Sequence, residues 1–228
     1  MVRVLYRSPT PPVPSPRPAL AASNLACRRG DRLLFRALNF ELRPGQIVWL
    51  RGPNGSGKTS LLRLLAGLST PAEGAVTWGG VPLRQAGAAY TGALCYLAHA
   101  NALKDDLTVL EALQFLARLH GHAGDAASCG EALRRVGLHS RRNAAVRTLS
   151  QGQRRRVALA RLQLDEAAPV WILDEPYDAL DTEGTATLDD ALSAHARRGG
   201  SAVLTSHIDL NLRDPAPDSL QLDAYAAR

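Results

Sequence analysis

Gln46-Ile47-Val48-Trp49-Leu50-Arg51-Gly52-Pro53-Asn54-Gly55-Ser56-Gly57-Lys58-Thr59-Ser60-Leu61-Leu62 decides the fold. Residues 52–59 fit G-x-x-x-x-G-K-[ST], a phosphate-cradling loop, and both flanks suit it. The apolar run Ile47–Leu50 reads as a buried strand. Ser60–Leu68 carries apolar residues at helical spacing. A strand, a glycine turn and a helix start together make an anion site, because free backbone N–H groups and the helix dipole point at the phosphates. Gly52, Gly55 and Gly57 let the backbone approach the oxygens. Pro53, Asn54, Ser56 and Ser60 complete the candidate binding set. Lys58 places a point charge on the β- and γ-phosphates, and the Thr59 hydroxyl is a candidate Mg²⁺ ligand.

Lys58 is also informative against its background. The chain has 27 basic residues, of which only Lys58 and Lys104 are lysine. A flexible ammonium suits the loop where a planar guanidinium fork does not.

Further along, Val170-Trp171-Ile172-Leu173 reads as a second buried strand that ends in Asp174 and Glu175. Asp174 can hold the water shell of Mg²⁺, and Glu175 can polarise a water for attack on a terminal phosphate. Ser201–Thr205 is a third strand, and Ser206-His207 follows it. Leu149-Ser150-Gln151-Gly152-Gln153 precedes a helix over 154–162. A serine and a glycine there make a second anion site, or simply a helix cap.

The rest of the chain fits a parallel α/β core. Arg32–Phe35 and Leu38–Leu42 read as two short strands forming an antiparallel fringe, and Ala75–Trp78 is another strand. Residues 106–164 turn helical, opened by a capping box at Thr108-Val109-Leu110-Glu111. The expected organisation is a Pro-rich disordered extension over 1–20 and one nucleotide-binding domain over 21–228, with a helical sub-domain at approximately 100–165.

At 228 residues the chain is long enough for a real core. Its net charge of +6 and pI near 9.7 come from arginine spread along the chain, densest at Arg141-Arg142 and Arg154-Arg155-Arg156. That spread argues against nucleic-acid binding. Cys27, Cys95 and Cys129 have neither metal nor disulfide spacing, which points to a reducing compartment. No apolar run reaches the roughly 18 residues a bilayer span needs. The prolines before residue 20 argue against the amphipathic helix of a transit peptide, although no acid precedes Asp31.

Taken together, the Lys58 loop, Leu149–Gln153, Asp174-Glu175-Pro176, Ala179-Leu180-Asp181 and Thr205-Ser206-His207 resemble the ATP-binding cassette family in order and spacing, over roughly residues 22–212. The resemblance implies a P-loop NTPase core, ATP and Mg²⁺ as ligands, and two copies packed head to tail with ATP between one loop and the other's signature. By it, Ser150, Gly152 and Gln153 serve the partner's nucleotide and Asp181 crosses the interface. Glu175 is the base, and His207 contacts the γ-phosphate.

Only 92 residues separate Lys58 from Ser150, and there is one loop per chain. This spacing fits the ATPase subunit of a transporter whose multi-pass membrane part lies on another chain. Several stretches, among them Tyr96–His99 and Trp171–Pro176, further resemble the haem-exporter ATPases of cytochrome c biogenesis. That resemblance implies a peripheral place on the cytoplasmic side of the inner membrane, with membrane contact through the partner. Another exporter or importer cassette is the alternative, and a soluble nucleic-acid-associated ATPase a more distant one.

The chain also departs from the family. His99 stands where most cassettes carry a Mg²⁺-binding Gln. Ala98 and Ala102 replace glycines, Gln151 replaces Gly or Ala at a surface position, and no adenine-stacking aromatic occurs near Arg28 or Arg29.

Overall fold

The computed structural model describes residues 19–164 and 168–227. Most of the Pro-rich extension, residues 1–18, lies outside the described residues. Leu20, assigned above to the extension, is fully buried as the first residue of a strand.

The chain order is β1 (Leu20–Arg29), β2 (Arg32–Leu42), β3 (Ile47–Arg51), α1 (Lys58–Leu65), β4 (Glu73–Trp78), β5 (Val81–Pro82), α2 (Leu83–Thr91) and β6 (Leu94–Leu97). Then come α3 (Val109–Leu119), α4 (Ala126–Arg135), α5 (Gln151–Leu159), α6 (Arg161–Leu164), β7 (Val170–Leu173), α7 (Thr182–Arg197), β8 (Ser201–Thr205) and β9 (Asp218–Gln221).

Two sheets form. One is antiparallel, in the order β2-β1-β4-β5, and the other is parallel, in the order β6-β7-β8-β3-β9. Strands of a parallel sheet covered on both faces read as continuous apolar runs. Every residue of β7 and β8 is buried. Their side chains alternate between two cores. Val170, Ile172 and Val203 join Leu61, Leu62 and Leu65 of α1 and the inner face of the antiparallel sheet. Trp171, Leu173, Ala202 and Leu204 join Leu159 of α5 and Leu188 and Leu192 of α7.

A third core belongs to the helical segment, where Val109, Leu113, Cys129, Leu133, Leu149 and Val157 meet. The capping box at Thr108 and Glu111 is present. The two strands expected at 32–35 and 38–42 are one, β2. Ala37, with φ 52, lets the backbone bulge without ending the pairing with β1. Among the described residues no helix is long and apolar enough to cross a membrane.

Candidate functional site

In a parallel sheet the ligand cleft lies at the carboxyl ends of the strands. β3 pairs with β8 on one side and β9 on the other, so its carboxyl end delivers the 52–59 loop to that edge. Gly57 caps α1 at φ 105 with no side-chain cap, so the first amides of α1 stay uncapped by any side chain. A Cβ at position 57 would sit 3.2–3.3 Å from Phe35 and Leu34, in a backbone region that disfavours any other residue. The Lys58 ammonium donates to the Gly52 carbonyl at 2.8 Å, which folds it over the loop. The Ser56 hydroxyl oxygen is buried and has no hydrogen-bond partner.

β7 delivers Asp174 and Glu175 to the same edge. Asp174 is 2% exposed, and its Oδ1 accepts from the Thr205 hydroxyl at 3.0 Å. The Thr205 oxygen in turn accepts from the Glu175 N–H at 2.8 Å, so the end of β8 pins the acidic turn. Glu175 has φ 49, an uncommon backbone for a residue with a side chain. Its Oε1 lies 3.5 Å from His207 Nε2, and Oε2 is buried without a partner. Burial pushes the Glu175 carboxyl above its usual range, with His207 opposing. A carboxylate with one free oxygen and a raised proton affinity is suited to accept a proton from water.

One cleft of about 460 Å³ brings together Asn54, Gly55, Gly57, Lys58, Thr59, Ser60, His99, Asp174, Glu175 and His207. That volume suits a small-molecule site. Among the described residues no Phe, Tyr or Trp lines it. Arg29, Arg32 and Leu34 of the β1–β2 hairpin do, at the place where the sequence lacks a base-stacking aromatic. His99 Nδ1 also lies 3.4 Å from Asp178 Oδ2.

Ser150, Gly152, Gln153 and Asp181 are not among the residues that line this cleft. Ser150 caps α5 in a reciprocal box with Gln153. Gly152 sits where a Cβ would come within 2.5 Å of the Ala179 carbonyl oxygen. Asp181 caps α7, accepting from Gly184 N at 2.9 Å, and pairs with Arg156. These hydrogen bonds hold its carboxyl below the usual range.

Sequence reasoning missed one residue, Arg155, counted above only as part of a basic patch. It is 2% exposed and bonds to the acidic turn. Helical phase was the available signal: Arg155 shares the i, i+3, i+4, i+7 face with Ala158, Leu159 and Leu162, all buried in one core.

The ABC transporter family matches residues 35–178. A relative from Methylococcus capsulatus, the cytochrome c biogenesis ATP-binding export protein CcmA, is 48% identical over 194 residues, 85% of this chain and 93% of the relative. The chain belongs to the ABC transporter family. Within it, the branch is that of these cytochrome c biogenesis proteins; a Pseudomonas putida member is 48% identical over 91% of this chain and 98% of its own. The ABC fold is equally evident in a solved structure, a putative ABC transporter ATP-binding protein from Pyrococcus furiosus. It has a TM-score of 0.78 and 24% identity, covering 92% of this chain and all of that one. An ATP-binding cassette described as dimeric, in a post-hydrolysis state bound to ADP and Pi, has a TM-score of 0.71 at 23% identity, over 85% of this chain and 89% of its own.

Proposed function

We propose that this chain is the ATP-hydrolysing subunit of an export complex for c-type cytochrome biogenesis, one that powers haem export or delivery or the release of a haem chaperone. The observation that carries the reading is Glu175: a buried carboxylate with one unpartnered oxygen, in the same cleft as Lys58. The relatives' names, cytochrome c biogenesis ATP-binding export proteins, supply the process.

In this reading the loop amides and Lys58 bind the β- and γ-phosphates of ATP. Thr59 and Asp174 would hold Mg²⁺. Among the described residues no group of three or more His, Cys, Asp or Glu is placed to hold a metal. The Thr59 hydroxyl and the Asp174 carboxylate, hard oxygen donors that line one cleft, are of the type that suits Mg²⁺. Bound there, the ion would neutralise charge on the triphosphate. Glu175 accepts a proton from the attacking water, whose oxygen bonds to the γ-phosphorus as the β–γ bridging bond breaks, leaving ADP and phosphate. His207, beside Glu175 Oε1, orients that carboxylate and reaches the γ-phosphate.

Ser150, Gly152, Gln153 and Asp181 lie away from this chain's own cleft, which favours their serving the nucleotide of a second copy. The fold neighbour described as a dimer supports that arrangement. A multi-pass membrane subunit would hold the pair at the cytoplasmic side of the inner membrane, as a peripheral component; no described helix of this chain would cross it. Nucleic acid has no part in this reading.

The test is a deletion strain. It should lack covalently haem-stained c-type cytochromes and keep b-type cytochromes, and a Glu175→Gln copy should not restore the former. Normal c-type cytochromes in the deletion strain would remove the biogenesis role and leave an ABC ATPase with another cargo.

A further inference from the structure

α5 sends one side chain back through the protein to the acidic turn. The Arg155 guanidinium donates to Asp174 O at 2.9 Å, Glu175 O at 2.7 Å and Pro176 O at 3.3 Å. Its other nitrogen donates to Ala98 O at 3.1 Å, His99 O at 3.3 Å and Asn101 Oδ1 at 2.9 Å. A guanidinium has five N–H donors in a rigid plane, and here all three nitrogens are used. Five of the six acceptors are backbone carbonyls, so Arg155 fixes the path of the main chain rather than any one side chain. The two segments it joins, 98–101 and 174–176, bring His99 and Glu175 to the cleft. Glu175 takes a positive φ there, a conformation that persists only when its surroundings over-determine it.

We propose that Arg155 is the positioning residue of the site. It clamps the Asp174–Glu175–Pro176 turn and the 98–101 loop to α5, so that Glu175 and His99 face the nucleotide at one fixed spacing. The inference rests on the reading of Glu175 as the base. It makes Arg155 a determinant of turnover and not of nucleotide affinity, because Arg155 touches neither the 52–59 loop nor Lys58 in the hydrogen bonds it makes. Lysine cannot replace it, since a single ammonium with three donors cannot span both segments.

The experiment uses the full chain. ATP turnover is measured for wild type, Glu175→Gln, Arg155→Lys and Arg161→Lys, and MgATP affinity is measured by calorimetry with each arginine change placed in the Glu175→Gln background. Arg161 is a buried arginine at the start of α6 that donates to Tyr96 O and Cys95 Sγ of β6. Arg155→Lys should lower kcat by about 10- to 100-fold, as a misplaced reacting group does. It should hold MgATP affinity within about threefold, a split that marks loss of an interaction realised at the transition state. Arg161→Lys should leave kcat within about twofold.

Wild-type kcat in Arg155→Lys, with Glu175→Gln inactive, overturns the positioning role and spares the site. An equal fall in kcat for both arginine variants, or affinity falling in step with kcat, also overturns it. Turnover retained in Glu175→Gln removes the base and this inference together. If Arg155→Lys does not fold, Asn101→Ala decides. It deletes one acceptor on the 98–101 loop, and should lower kcat by about two- to fivefold at unchanged affinity; unchanged kcat there overturns the proposal.

Discussion

The starts of α1 and α5 are both helix N-termini with glycine and a hydroxyl residue beside them, and the chain finishes them differently. At α1 no side chain caps the amides, Ser56 Oγ is left unpartnered and Lys58 lies across the loop. At α5 the Ser150 hydroxyl accepts from Gln153 N, and the Gln153 side chain accepts from Ser150 N. On the proposed reading the first site receives an anion within one chain. At the second the Ser150 hydroxyl already takes up the Gln153 amide, so an anion arriving there would share the helix start with the cap. The difference shows why the two motifs, similar as sequence, carry different obligations.

The largest effects should fall on the first site. Lys58→Ala removes the positive charge from the phosphates, and equilibrium binding should show loss of MgATP. Glu175→Gln keeps binding and should reduce turnover by about 10²- to 10⁴-fold, the span attributed to a positioned general base. Equal loss of binding in both variants would erase the distinction between holding the phosphate and activating the water.

Ser150→Asp separates the two uses of the second site. Aspartate caps a helix about as well as serine, so thermal unfolding should move by less than about 0.5 kcal/mol. Hydrolysis should nevertheless fall by about tenfold or more, because a negative charge would face the partner's phosphates; like-charge contact costs on this order, and 1.4 kcal/mol is tenfold. Mixing Lys58→Ala with Ser150→Arg should restore part of the activity, since a mixed pair keeps one intact composite site. Wild-type hydrolysis by Ser150→Asp would reduce Ser150 to a cap.

Gly152→Ala probes the same region through packing. Its Cβ would meet the Ala179 carbonyl oxygen at 2.5 Å, so α5 and the 178–181 turn must separate. Chemical denaturation should show a loss of about 1–3 kcal/mol, the usual cost of overpacking. No measurable loss would mean the turn yields freely.

Much of this was legible in the sequence because the parallel strands are apolar throughout, as in Val170–Leu173, and because loops of fixed chemistry follow them. What stayed hidden has physical causes. β9 is a polar edge strand with no exposed/buried alternation, paired on one side only, so no periodicity announces it. β2 reads as two strands because residue 37 adopts a positive φ without a glycine to signal it. Arg155 looks like surface charge when counted with Arg154 and Arg156, and only its helical phase marks it as buried. The cleft residues were placed by motif and a cap at Ser150 is one of the two readings its sequence allows, whereas the pairing of Asp181 with Arg156 depends on side-chain geometry.

Ala102, where the resemblance to the family sets a glycine, has φ 53. An alanine in that region is strained, while glycine costs extra backbone entropy in the unfolded chain. Ala102→Gly should therefore stabilise the protein by a net amount of no more than about 1 kcal/mol, read as a higher denaturation midpoint. A lower midpoint would show that the strain is relieved by neighbours.

The smallest effect compares two capping boxes. Thr108–Glu111 opens α3 and Ser150–Gln153 opens α5, with the same reciprocal bonds. Only the first contains an acid. Hydrogen bonds from the Thr108 backbone and hydroxyl hold the Glu111 carboxyl below its usual range. A group whose pKa is lower folded than unfolded adds stability above its unfolded value, about 4.3 for glutamate, and loses it as pH falls through the folded value. The start of α3 should therefore loosen on acidification from about pH 5 downward, while the start of α5 keeps a cap that does not titrate. Amide exchange, corrected for its intrinsic pH dependence, should show protection at 109–112 falling relative to 151–154 over that window. Glu111→Gln preserves the box and removes the proton linkage, so the relative change should vanish in it. An identical relative change in Glu111→Gln would place the acid sensitivity elsewhere in the helical segment, with Asp125 at the start of α4 the next residue to substitute, because Ser128 hydrogen bonds depress its carboxyl in the same way.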